Sequence, residues 1–164
     1  MQAKFCFKWV PIALSLGADG CYRNNRTIKT QPHYIQEDVR SMEAEFDGRL
    51  IKGIEQFNHG LFFECHETLE EIWIEEHGKD RDFYQGIIQI AAGYLKWEQG
   101  VLIGAIKLWR SGLKKLEPYD SVHLGVKLGP FVEQVKENLT KVEPAHAKGE
   151  DSAALAVPVL SLSF

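Results

Sequence analysis

The chain has 164 residues, 45% hydrophobic and 26% charged, with a formal charge of −4. That length supports one core but not two well-buried ones, and four Trp and nine Phe supply its anchors. The acidic balance argues against a nucleic-acid binder, whose affinity rests on Lys and Arg neutralising phosphates. Cys6, Cys21 and Cys65 are odd in number and widely spaced, so neither a disulfide framework nor a cysteine zinc site is indicated. A reducing cytoplasm fits best.

Residues 1–37 read as an irregular N-terminal extension. Its apolar run from Val10 to Leu16 is broken by Pro11 and is too short to span a bilayer. Lys4 and Lys8 precede that run as in a signal peptide, but the cleavage-site pattern is poor and Asp19 spoils a lipoprotein-type site before Cys21. Met1 and Met42 are alternative starts.

From residue 38 to residue 142 the apolar period is near 3.6, the signature of amphipathic helices. The first helix is expected over Asp38 to Phe57, with Phe46, Leu50, Ile54 and Phe57 on one stripe. Asn58 and Gly60 then turn the chain. A second helix runs from about Leu61 to Glu76, with Phe62, Cys65, Leu69, Ile72 and Trp73 as its apolar arc and Gly78 as its stop. Asp80 can cap a third, apolar around most of its circumference, that reaches Gln99. The fourth spans Leu102 to Glu117 and stops before Pro118, and Pro130 opens a fifth carrying Phe131, Val135, Leu139 and Val142. Short linkers make neighbours antiparallel, so the expected fold is all-α, a bundle of about five helices. Residues 143–164, with Pro144 and Pro158 and no helical caps, read as a tail.

The chemistry concentrates on the second helix. His66 and Glu70 are four residues apart and project from one face at the margin of the apolar arc, so one metal ion could reach both. Glu67 sits about 100° round the helix from His66 and Glu64 farther still, so the four do not converge unaided. The string His-Glu-x-x-Glu looks like a truncated zinc-protease helix with Glu70 where a second His ligand should stand, which argues against that enzyme class. The plain structural alternative is His66 hydrogen-bonded by Glu70 at a helix interface. Six Glu and no Lys or Arg lie between Leu61 and Gly78, with Glu75 and Glu76 where the helix dipole disfavours anions. On the third helix Asp82, Gln85, Gln89 and Lys96 form a polar stripe flanked by Gly86 and Gly93, whose spacing admits a close neighbouring backbone. Where that stripe meets His66 and Glu70, a buried polar cluster results. His33, His59, His77, His123 and His146 have no matching spacing and are expected to be exposed.

Three segments, FNHGLFFECHETLEEIW, FYQGIIQIAAGYLKWEQG and GAIKLWRSGLKKLEPY, together resemble the domain-of-unknown-function 309 family over roughly residues 57–139. The positions that carry the resemblance are Asn58, Gly60, Phe63, Glu64, His66, Glu67, Glu70 and Trp73. Farther on they are Gly86, Gln89, Ala91, Gly100, Gly104, Ala105 and Leu113. The resemblance implies an all-helical bundle and a metal-dependent hydrolase label suggested by the His-Glu motif. Where such proteins often carry a third-helix histidine, this chain has Lys96, which departs from a two-histidine metal site.

Three functional readings follow. In the leading one, biochemical function is unknown and His66, Glu70, Gln85 and Gln89 either order the bundle or hold a small ligand. In the second, His66 and Glu70 ligate a divalent metal ion and Glu67 is the base of a hydrolase. In the third, the acidic helix is offered to a basic protein partner; homo-oligomerisation stays open, and neither nucleic acid nor membrane is an expected partner.

Overall fold

The structure, a computed structural model, describes residues 47–150 and 155–163. Asp47 starts the first described helix, α1 (Gly48–Asn58), as an N-cap whose carboxylate accepts the Arg49 backbone N–H at 2.9 Å. The expected helical stretch upstream of Asp47, including Phe46, lies outside the described residues. There follow α2 (Phe62–Glu75), α3 (Arg81–Glu98) and α4 (Leu102–Leu116). A hairpin of β1 (Val122–His123) and β2 (Val126–Lys127) leads directly into α5 (Leu128–Lys148). The fold is thus an all-α bundle in which each helix packs on the next, with one small two-stranded sheet among the described residues. No helix among these residues is long and apolar enough to cross a membrane.

The third helix is central because its sequence leaves it little polar surface. Phe83, Tyr84, Ile87, Ile88, Ile90, Ala91 and Tyr94 are all buried, and α3 contacts both α2 and α4. Fully burying a large apolar side chain contributes roughly 1.5–3 kcal/mol, so this helix carries a large share of the core energy. Its contact with α4 is made backbone to backbone: a Cβ on Gly112 would lie 2.7 Å from the Gly86 carbonyl oxygen. The Trp109 indole fills the space that Gly93 leaves and donates to the Ile90 carbonyl at 3.2 Å.

The two helical hairpins, α1–α2 and α3–α4, repeat one another at a separation of forty residues. In the first turn, His59, Gly60 and Leu61 donate to the carbonyls of Glu55, Phe57 and Gln56; in the second, Gln99, Gly100 and Val101 donate to those of Leu95, Trp97 and Lys96. Gly60 and Gly100 both adopt left-handed backbone, at φ 75° and 72°, which favours glycine. Gly53 receives Leu69 just as Gly93 receives Trp109.

The C-terminal part differs from the sequence expectation. The last helix starts at Leu128, leaving Pro130 in its first turn, and continues beyond Val142 through Pro144 to Lys148. A proline inside a helix removes one hydrogen bond, and here it stands on an exposed face among good helix formers. The helix ends instead at Gly149, at φ 70°, whose N–H reaches the Ala145 and His146 carbonyls. Residues 155–163 are not a loose tail: Pro158 and Leu160 are buried, and Leu162 bridges to Val126 of β2. Asn58 holds this segment with both ends of its amide, donating to the Leu160 carbonyl at 2.7 Å and accepting the Leu160 N–H at 2.9 Å. Asn138, fully buried on α5, donates to the Tyr94 hydroxyl and to the Ala156 carbonyl, both at 2.7 Å.

Asn138→Ala should lower the free energy of unfolding by about 1–3 kcal/mol in urea titration, because it leaves a buried hydroxyl and a carbonyl without their donor. The Arg49 guanidinium holds the Asp47 carboxyl below its ordinary range. The folded pKa is therefore the lower one, so the Asp47 contribution is present above the unfolded carboxylate pKa and disappears as pH falls through the folded value. Asp47→Ala should cost about 1 kcal/mol at pH 7, and the difference from wild type should vanish in strongly acidic solution.

Candidate functional site

The turn of α2 that follows Cys65 faces the middle of α3. Cys65 itself is fully buried, and burial pushes its thiol up to about 12, so it offers neither a nucleophile nor a ready metal ligand. His66 lies at the margin of the apolar arc with its side chain 31% exposed. Its Nδ1 atom is nevertheless buried and has no hydrogen-bond partner. Glu67 Oε1 and Glu70 Oε2 each lie 3.9 Å from it, beyond hydrogen-bond range. The satisfied His66–Glu70 pair of the structural alternative is not formed.

Glu67 is the residue whose position the helical wheel understated. Rotation about its side-chain bonds carries the carboxylate back over His66, and one ligand atom from each of His66, Glu67 and Glu70 falls within 4.8 Å of the others. The 100° offset locates the Cβ and not the end of a long side chain. Glu64 is not part of this group.

A cavity of about 180 Å³ adjoins the cluster, lined by His66, Glu70, Trp73, Gln85, Ile88 and Gln89. Three of its walls carry buried polar atoms with no hydrogen-bond partner: His66 Nδ1, Trp73 Nε1 and Gln89 Oε1. Buried polar groups are paired in the great majority of proteins, so three around one space mark it as built for an occupant or for ordered water. A larger cavity of about 430 Å³ lies between the end of α4 and the start of α5, with Leu113, Leu116, Tyr119, Leu128 and Val132 in its lining. None of the unpartnered buried atoms belongs to it.

The polar stripe on α3 divides. Gln85 and Gln89 face the cavity, as the spacing suggested, whereas Asp82 turns to α4 and pairs with Lys115 at 2.7 Å. Lys96 donates to Gln99 at 3.0 Å at the far end of the helix. The acidic end of α2 is also internally balanced: Glu75 accepts from Arg49 at 2.7 Å, which keeps its carboxyl below the ordinary range. Glu76 is the C-cap, and its own carboxylate accepts the Gly78 N–H.

From the sequence Arg81, with Lys79, is a charge that balances the acidic helix, and its place beside Trp73 is not legible there. Its guanidinium stacks 3.9 Å above the Trp73 ring and donates to the carbonyls of Trp73 and of Glu76, the latter at 2.6 Å. These bonds satisfy open carbonyls at the end of α2 and fix the indole against the cavity. His123 departs from the expected exposed set, since it is half-buried and hydrogen-bonded to Asp80 at 2.8 Å. It sits on the β hairpin, among the rings of Phe83 and Tyr119, and does not line the cavity.

Residues 50–108 match the sequence model of the family described as Domain of unknown function (DUF309). Over that segment the chain is similar to this family. The segment runs from α1 into α4 and contains every residue of the α2–α3 cavity, whereas α5 and residues 155–163 lie outside it. The description attached to domain-of-unknown-function 309 assigns no activity. No curated protein matches the chain.

Arg81→Ala should destabilise the protein by about 1–3 kcal/mol in thermal or urea unfolding, since it strips two helix-terminal carbonyls of a charged donor and the indole of its stacked cation.

Proposed function

We propose that the protein binds a divalent transition-metal ion through His66, Glu67 and Glu70 and uses the adjoining cavity to hold a small polar ligand. The observation that carries this reading is His66 Nδ1, buried, unpartnered and equidistant from two carboxylates. One neutral imidazole and two carboxylates form a donor set suited to zinc, manganese or iron, and the two negative charges balance a divalent ion. Both glutamates are well exposed, at 59% and 41%, so their carboxylates can close on an ion at about 2.0–2.2 Å without disturbing the core.

Glu67 approaches His66 as closely as Glu70 does, which supports a ligand role for it. A hydrolase would need Glu67 held off the ion as a base, so the arrangement favours binding over hydrolysis. The hydrolytic alternative draws only on the His-Glu pattern. A cytoplasmic setting suits this reading, because the chain's thiols would there remain reduced.

Titration of the full chain with Mn²⁺, which avoids competition from thiols, should show one saturable site by calorimetry. At about 100 times Kd the ion should stabilise the fold by about 2.7 kcal/mol, read as a rise of several degrees in Tm. His66→Ala and Glu70→Gln should each remove that rise. Absence of saturable binding of Mn²⁺, Zn²⁺ and Fe²⁺ to folded wild-type protein would overturn the proposal.

A further inference from the structure

The walls of the cavity narrow the kind of ligand it can take. Trp73 Nε1 is a donor and nothing else, so it cannot ligate a cation; its N–H requires an acceptor oxygen from whatever occupies the space. Gln85 and Gln89 bring two amides to the same wall, able to donate or accept as the occupant demands. Ile88 supplies an apolar side. Among the described residues neither Lys nor Arg lines the cavity. Arg81 stacks on the indole, is engaged by two carbonyls and is not part of the lining.

Building on the metal reading above, the geometry points to a small carboxylic acid with a second oxygen on its α-carbon as the ligand, chelating the ion held by His66, Glu67 and Glu70 while Trp73 Nε1 and the Gln85 and Gln89 amides hydrogen-bond its oxygens. Four features of the site select this class. Three protein ligands leave positions open on a transition-metal ion, and two adjacent oxygens on one small molecule occupy them with less entropy loss than two separate ligands. The ion and the two glutamates sum to zero, so a monoanion adds one negative charge, which uncharged N–H donors can accommodate. A phosphate dianion would add two without a cationic side chain to meet them. The volume of about 180 Å³ admits a molecule of a few heavy atoms beside the cluster.

The experiment uses the full chain and glycolate as probe, with acetate and inorganic phosphate as comparison arms. In the presence of saturating Mn²⁺, glycolate should bind at least tenfold more tightly than to metal-free protein, and more tightly than acetate or phosphate. Trp73→Phe keeps an aromatic ring beneath Arg81 but removes the N–H. It should bind Mn²⁺ as wild type does while losing five- to tenfold in glycolate affinity, and Gln89→Leu should behave in the same direction. Normal Mn²⁺ binding with no response to glycolate would overturn the carboxylate inference and leave the metal site standing. The same holds if Trp73→Phe binds glycolate as wild type does. Tighter binding of phosphate than of glycolate would also overturn it. Failure of Mn²⁺, Zn²⁺ and Fe²⁺ to bind at all would remove the metal reading and this inference together.

Discussion

The Tyr94 ring is the point on which the bundle converges. It stacks on Phe62 of α2 at 5.4 Å, meets Phe57 of α1 edge-on at 5.8 Å, and lies 4.7 Å from Trp109 of α4. Its hydroxyl receives Asn138 of α5, and the same amide holds the 155–163 segment. One side chain thus touches the other four helices directly, and burial pushes its phenol well above the ordinary range, so it remains a neutral hydrogen-bonding group. Aromatic pairs prefer offset-stacked or edge-to-face geometry, which makes these contacts directional as well as apolar.

The candidate site inherits its register from that contact. The helices α2 and α3 are antiparallel, so one turn down α2 from Phe62 is His66, and the matching step back along α3 from Tyr94 reaches the neighbourhood of Gln89. Another turn brings Glu70 opposite Gln85. The aromatic stack therefore sets which side chains face each other across the cavity. At the other end Arg81 ties the close of α2 to the start of α3 and holds Trp73 in place. The cavity is spanned between an aromatic anchor and an arginine clamp, and packing and hydrogen bonds of this kind are what hold a site in place.

Much of this was legible in the sequence because it depends on period and spacing. The stripe Leu50, Ile54 and Phe57 is buried as its spacing requires, and so is the near-continuous apolar surface of α3. Gln85 and Gln89 could be matched to His66 and Glu70 because residues four apart share a helix face. Three things escaped. Glu67 did so because a wheel gives the direction of a Cβ and not the reach of a flexible chain. The β1–β2 hairpin did because its turn places Leu124 at φ 45°, a conformation that leucine does not advertise. The docking of residues 155–163 did because two asparagine amides and a bridge to β2 hold its backbone, and its few buried side chains, Pro158 and Leu160, are too few to set a period. The forty-residue recurrence was available in principle, since Gly53 and Gly60 return as Gly93 and Gly100, but the side chains between them differ enough to hide it.

That recurrence supplies an internal comparison. Where α2 has His66 and Glu70, the corresponding places on α4 hold Ile106, which is buried, and Arg110, which is bound to Glu143 of α5. The same hairpin, with the same turn and the same glycine notch, is thus built twice, once with an aliphatic residue and a closed ion pair and once with an imidazole whose Nδ1 makes no hydrogen bond and lies 3.9 Å from each of two carboxylates. The polar residues on α2 are a departure from the twin hairpin, set on a frame that the other copy builds with a buried aliphatic side chain and an ion pair.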